Sequence, residues 1–127
     1  MENVDYIKLK DLQVYQLARK LSKIAWSIFS KMTFEQKKII GDQFIRSADS
    51  VGANITEGYA RFHYRDKVRF YLYARGSLSE AVEHWAELML EREIITQETF
   101  NEIKDIHTPL EVKLNNFITT TRKKAQK

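Results

Sequence analysis

Apolar residues recur with helical spacing along most of the chain. Val14, Leu17, Leu21, Ile24 and Ile28 alternate three and four apart, and Ala18 and Ala25 widen the stripe. This pattern predicts a helix over residues 11–31 that faces a bundle interior, with Asp11 as its first-turn or capping acid. Tyr15, Trp26 and Phe29 carry apolar surface beyond that stripe. Thr33 followed by Gln36 has capping-box chemistry and opens a second helix over 34–60. On it Ile40, Phe44, Ser47, Val51, Ile55 and Gly58 share a face, and Gly58 is expected where the helix loosens. A third helix over 65–93 has Val68, Tyr71, Leu72, Arg75, Leu78, Val82, Trp85 and Met89 at heptad-like spacing. Thr96 caps a fourth over 97–123, with Phe100, Ile103, Ile106, Leu110, Leu114, Phe117 and Thr121 on one face. Pro109 removes a backbone donor within it and is expected to kink or break it near Thr108. Residues 1–8 read as a short lead-in and the basic tail 122–127 as a frayed end.

No strand pattern and no internal repeat competes with these four helices. Short connections between them predict an all-α, antiparallel up-down-up-down four-helix bundle, with residues 1–127 as one domain. A single proline and four glycines suit long uninterrupted helices. The absence of cysteine excludes disulfides and thiolate metal sites. No apolar run is long enough to span a bilayer, and the start of the chain lacks the pattern of a signal peptide, so a cytoplasmic protein with no membrane partner is expected.

One stretch departs from the ordinary amphipathic pattern. Residues 46–58 carry Ser47, Ala48, Ser50, Gly52 and Ala53, which leave little bulk over about two helical turns. Arg75-Gly76-Ser77 forms a second notch on the third helix, expected to oppose the first at a close crossing.

Charge is polarised along the third helix. Arg61, Arg65, Lys67, Arg69 and Arg75 precede Glu80, Glu83, Glu87, Glu91 and Glu93, against the sense that the helix macrodipole favours. Neighbouring helices or subunits that supply opposite charge are one explanation. The other is a nucleic-acid surface in which Arg61, His63, Arg65, Lys67 and Arg69 meet phosphate while Phe62 and Tyr64 stack on bases. Arg122, Lys123 and Lys124 would assist. The net charge of +4 permits a polyanion partner without demanding one.

Catalysis finds little support. Glu-x-x-His, the signature of carboxylate-bridged metal sites in bundles, is missing at His63, His84 and His107. There is no glycine-rich phosphate loop and no visible triad. No enzyme, no metal and no cofactor is therefore expected.

Three ordered stretches resemble a known family. Asp11-Leu12-Gln13-Val14-Tyr15-Gln16-Leu17-Ala18 matches its first motif. Arg46-Ser47-Ala48 and Ser50-Val51-Gly52-Ala53-Asn54-Ile55-Thr56-Glu57-Gly58 match its core motif, with Thr56 replacing the usual alanine. Phe70 and Ala74-Arg75-Gly76-Ser77-Leu78-Ser79-Glu80 match the third, with Tyr71 replacing leucine. The chain thus resembles the bacterial four-helix-bundle family encoded in intervening sequences of large-subunit ribosomal RNA genes. That family also includes accessory variability proteins of diversity-generating retroelements. The resemblance implies a homopentameric barrel of bundles and, for retroelement members, binding of RNA or DNA together with a reverse transcriptase. It marks Arg46, Asn54, Glu57, Arg75, Gly76, Ser77 and Glu80 as a buried polar network where helices 2 and 3 cross. The resulting expectation is a non-enzymatic oligomeric bundle that binds nucleic acid through basic surface. The rival is a protein–protein assembly module without direct nucleic-acid binding.

Overall fold

The computed structural model describes residues 6–126, so the first part of the expected lead-in and Lys127 lie outside it. Four helices make up the fold among these residues. They are α1 (Gln13–Ser30), α2 (residues 34–59), α3 (residues 64–91) and α4 (Gln97–Ala125). A short 3-10 turn, Leu9–Asp11, precedes α1. Consecutive helices pack side by side and α4 closes back on α1, which gives the up-down-up-down bundle.

Local chemistry explains most boundaries. At the start of α2, Thr33 Oγ1 accepts from Gln36 N–H and Gln36 Oε1 accepts from Thr33 N–H, each at 3.1 Å, so two orphan donors are satisfied reciprocally. Thr96 caps α4 through Thr99 N–H at 3.1 Å. α3 ends in a Schellman arrangement: Ile94 N–H donates to Met89 C=O at 2.8 Å and Glu93 N–H to Leu90 C=O at 3.1 Å. Glu93 adopts φ 59°, a left-handed conformation in a position that glycine usually fills.

Several boundaries differ from the sequence expectation. Asp11 does not cap α1, because the chain spends it in the 3-10 turn and Leu12 becomes the cap residue without a side-chain bond. α2 ends at Tyr59, within one residue of expectation, but does not loosen at Gly58. Pro109 does not break α4, and the tail stays helical through Ala125. Buried Ile103, Leu110 and Leu114 hold the helix on both sides of the proline. The carbonyl that Pro109 leaves without a donor belongs to Asp105, an exposed residue.

α2 and α3 each contain a π-helical stretch, Lys37–Gly41 and Glu80–Ala86. The core fills the space between the four helices, with Leu21, Phe44, Ile55, Tyr71, Leu78, Met89, Ile103 and Leu114 almost fully buried. The close approach of α2 to α3 occurs at Gly58, where a Cβ would lie 2.7 Å from the Tyr71 ring and 3.0 Å from Phe70 Cβ. Gly52 instead faces α1, with Ala18 Cβ 3.6 Å from where its own Cβ would be. Gly76 faces open space, with nothing within 4 Å. The expected opposition of the Gly52 and Gly76 notches is therefore absent, because the two glycines point away from the α2–α3 seam in different directions.

Candidate nucleic-acid interface

The antiparallel topology brings two basic segments, 58 residues of sequence apart at Arg65 and Lys123, to one end of the bundle. α2 ends and α3 begins there, and α4 ends beside them. Arg65 shares a shallow groove with Arg122, Ala125 and Gln126, and a neighbouring one with His63, Tyr64 and Lys124. Lys124 Nζ stands 6.0 Å from the Tyr64 ring centroid. His63, Arg65, Arg122 and Lys124 thus line adjoining grooves. Arg65, Arg122, Lys123 and Lys124 are all exposed, and among the described residues none has a carboxylate within 4.0 Å.

Arg61 and Arg69 are less free. Arg61 pairs with Glu57 at 2.7 Å and Arg69 with Asp66 at 3.5 Å, and both guanidinium groups lie over the Phe70 ring. These contacts fix two arginines at the edge of the patch and partly neutralise them. The aromatic component divides likewise. Phe62 is 88% exposed and edge-on to His63, whereas Tyr64 is only partly open.

Beside this surface lies a pocket lined by Tyr59, Tyr64, Lys67, Tyr71, Thr121 and Lys124. Lys67 Nζ donates to the Tyr59 carbonyl at 2.8 Å and sits over the Tyr59 ring. Burial first, and the Lys124 ammonium second, hold its pKa below the ordinary lysine value. The Tyr59 hydroxyl donates to the Ile7 carbonyl, and its pKa is raised by burial and then by Tyr6. Tyr71, which is buried, is raised mainly for the same reason. Tyr59 and Thr121 carry no sequence signal for this role; the nearest one is the placement of Tyr59 just before a basic connection.

The predicted polar network does not form inside the chain. Arg46, Glu57, Arg75, Gly76 and Glu80 are exposed, and Asn54 and Ser77 are half-buried. Their bonds run elsewhere. Asn54 donates to the carbonyl and hydroxyl of Ser50, Glu57 accepts from Arg61, Arg75 donates to Asn115, and Glu80 accepts from the Trp85 indole. The helical period puts these positions on the outer faces of α2 and α3, whereas Val51, Ile55, Tyr71 and Leu78 take the inner ones.

The sequence profile of the 23S rRNA-intervening sequence protein family matches residues 10–116, a span that includes residues 61–69 and stops before Arg122. The chain is also similar to a crystal structure of a protein with unknown function from the S23 ribosomal protein family of Bacteroides thetaiotaomicron VPI-5482. That similarity has a TM-score of 0.77 and 25% sequence identity, and it covers 84% of this chain and 95% of that one. No curated relative matches the chain. Among the described residues, no helix is long and apolar enough to cross a membrane.

Proposed function

The chain belongs to the 23S rRNA-intervening sequence protein family, and from that premise we propose that it is a non-enzymatic cytoplasmic bundle that binds RNA phosphates through its basic end. The supporting observation is the meeting of Arg65 with Arg122 and Lys124 in grooves that hold no acid partner. Cations gathered without counter-charge are costly to the protein alone and are relieved by a polyanion. Phe62 supplies a stacking face beside them.

The test is fluorescence anisotropy with labelled structured RNA, single-stranded RNA and duplex DNA across a salt series. Affinity is expected to fall steeply with salt, by roughly 0.7–0.9 log units per log unit of salt for each phosphate contacted. Arg65→Glu/Arg122→Glu/Lys124→Glu is expected to flatten that slope by about two to three contacts while leaving the fold intact, since all three side chains are exposed. Absence of binding at low salt by the folded protein overturns the reading.

Self-association is the second part of the proposal, and Gly76 supports it. A glycine inside an exposed helix costs about 1 kcal/mol relative to alanine, and nothing in this chain occupies the space it opens. Exposed Tyr73 lies on the same helix. We read the outer face of α2 and α3 as the subunit contact of a homo-oligomer, a pentamer by family resemblance, and light scattering measures its size. If the oligomer forms but nucleic acid does not bind, the assembly module is the better description. A reverse transcriptase would then be the first protein partner to assay.

A further inference from the structure

We propose that Glu83, His107 and Glu111 form a binding site for one divalent transition-metal ion, with Zn²⁺ as the best chemical fit. The site lies between α3 and α4, away from the basic end, and is independent of nucleic-acid binding.

His107 carries the inference. It is 3% exposed, and its Nε2 is, among the described residues, the buried side-chain nitrogen or oxygen left without a hydrogen-bond partner. Buried polar atoms are nearly always satisfied, so an orphan calls for an occupant. Nε2 points towards Glu111 Oε2 at 4.0 Å, too far for a hydrogen bond. One ligand atom from each of Glu83, His107 and Glu111 lies within 4.8 Å of the others. Metal–ligand bonds of about 2.0–2.1 Å require a ligand spacing of roughly 3.3 Å. Glu83 is exposed, with Oε1 accepting from Ser79 Oγ at 2.7 Å, and Glu111 is half-buried, so rotamer changes at the two carboxylates close the gap while the buried imidazole stays fixed.

The donor set selects the ion. An imidazole nitrogen with two carboxylates suits Zn²⁺ and its first-row neighbours, whereas Mg²⁺ and Ca²⁺ prefer oxygen alone. Burial first and Lys104 second push the His107 pKa below its usual value, against smaller upward pulls from Glu111 and Glu83. The backbone is irregular on the α3 side of the site. Glu83 sits in the π-helical stretch Glu80–Ala86, and Pro109 lies between His107 and Glu111.

Lys104 restrains the site. Its Nζ is 3.4 Å from His107 Nδ1, and an ammonium that donates there places the imidazole proton on Nε2. Metal binding requires the other tautomer, in which Nε2 loses its proton, Nδ1 gains one, and Lys104 swings towards solvent. Lys104→Gln removes the competing charge and offers an amide oxygen to Nδ1–H, the usual outer-shell partner of a metal-bound histidine.

The test is isothermal titration calorimetry of the metal-free full chain with Zn²⁺, and with Mg²⁺ and Ca²⁺ for comparison. One Zn²⁺ per chain is expected, with no measurable heat from Mg²⁺ or Ca²⁺. Glu83→Gln/Glu111→Gln is expected to weaken Zn²⁺ binding by at least about 10–100-fold with unchanged circular dichroism. Lys104→Gln is expected to strengthen it. His84→Gln controls for the exposed histidine flanked by Glu80 and Glu87 and should change nothing. Failure of Zn²⁺ to bind overturns the proposal. So does binding that survives Glu83→Gln/Glu111→Gln, or that is lost in His84→Gln.

Discussion

The inner and outer faces of the helix pair α2–α3 use small residues in opposite ways. On the inner face Gly58 lies where a Cβ would press 2.7 Å into the ring of Tyr71, and the helices approach because that carbon is missing. On the outer face Gly76 looks onto open space while Glu57 bonds to Arg61 in the connection that follows α2 and Glu80 to Trp85 of its own helix. Both glycines fall in stretches that read as motifs. Only one of them is explained by the fold of a single chain. A small residue is a packing device where a neighbour fills the room it leaves, and where none does it advertises a surface for something else.

The largest effect is expected at the inner face. In Gly58→Ala the new methyl meets ring atoms of a fully buried tyrosine and the Cβ of Phe70, neither of which is the free end of a flexible chain. Destabilisation of about 1–3 kcal/mol is expected from overpacking, read as a lower midpoint in chemical denaturation. Tyr71→Leu in the same background should restore part of the loss. If Gly58→Ala denatures like the parent, the α2–α3 seam does not depend on this contact.

The outer glycine gives a prediction of either sign. For an isolated protomer Gly76→Ala should raise helix stability by about 1 kcal/mol. With a second chain pressed against it, the methyl costs packing instead, and the thermal midpoint should fall together with the particle size in light scattering. The proposed oligomer requires the second outcome. A more stable protein of unchanged size would show that no backbone approaches Gly76.

Features that depend on a few neighbouring residues were readable from the chain. The capping box at Thr33 and the cap at Thr96 are local chemistry, and both stand at 3.1 Å where the spacing placed them. The basic residues were readable as residues and expected to act together, but the contact of Arg65 with Arg122 was not legible, because only the bundle's topology makes it. Glycine is the least legible case, since it carries no side chain to say which neighbour it faces. Gly58 is expected where a helix loosens, and it lies instead at a close approach to Tyr71 and Phe70. Pro109 failed differently: a local rule against mid-helix proline was overridden by burial of Ile103, Leu110 and Leu114 around it. The Glu-x-x-His signature places its acid three residues before a histidine. The pair that the structure brings together runs the other way, from His107 to Glu111 four residues on.

The smallest effect separates the two faces most cleanly. Glu57 belongs to the core motif, and a buried network would make its removal cost about 1–3 kcal/mol by stranding its partners. On the outer face it only pairs with Arg61, both side chains roughly half exposed, and a surface pair of this i,i+4 kind contributes about 0.3–0.5 kcal/mol. Glu57→Ala is therefore expected to leave the protomer's own stability almost unchanged. Any larger effect must come through assembly, and assembly depends on concentration. Thermal melts at two protein concentrations a hundredfold apart distinguish the cases. A loss confined to the high concentration assigns Glu57 to the subunit contact. An equal loss at both would return it to the interior of the fold, against the exposed position it occupies here.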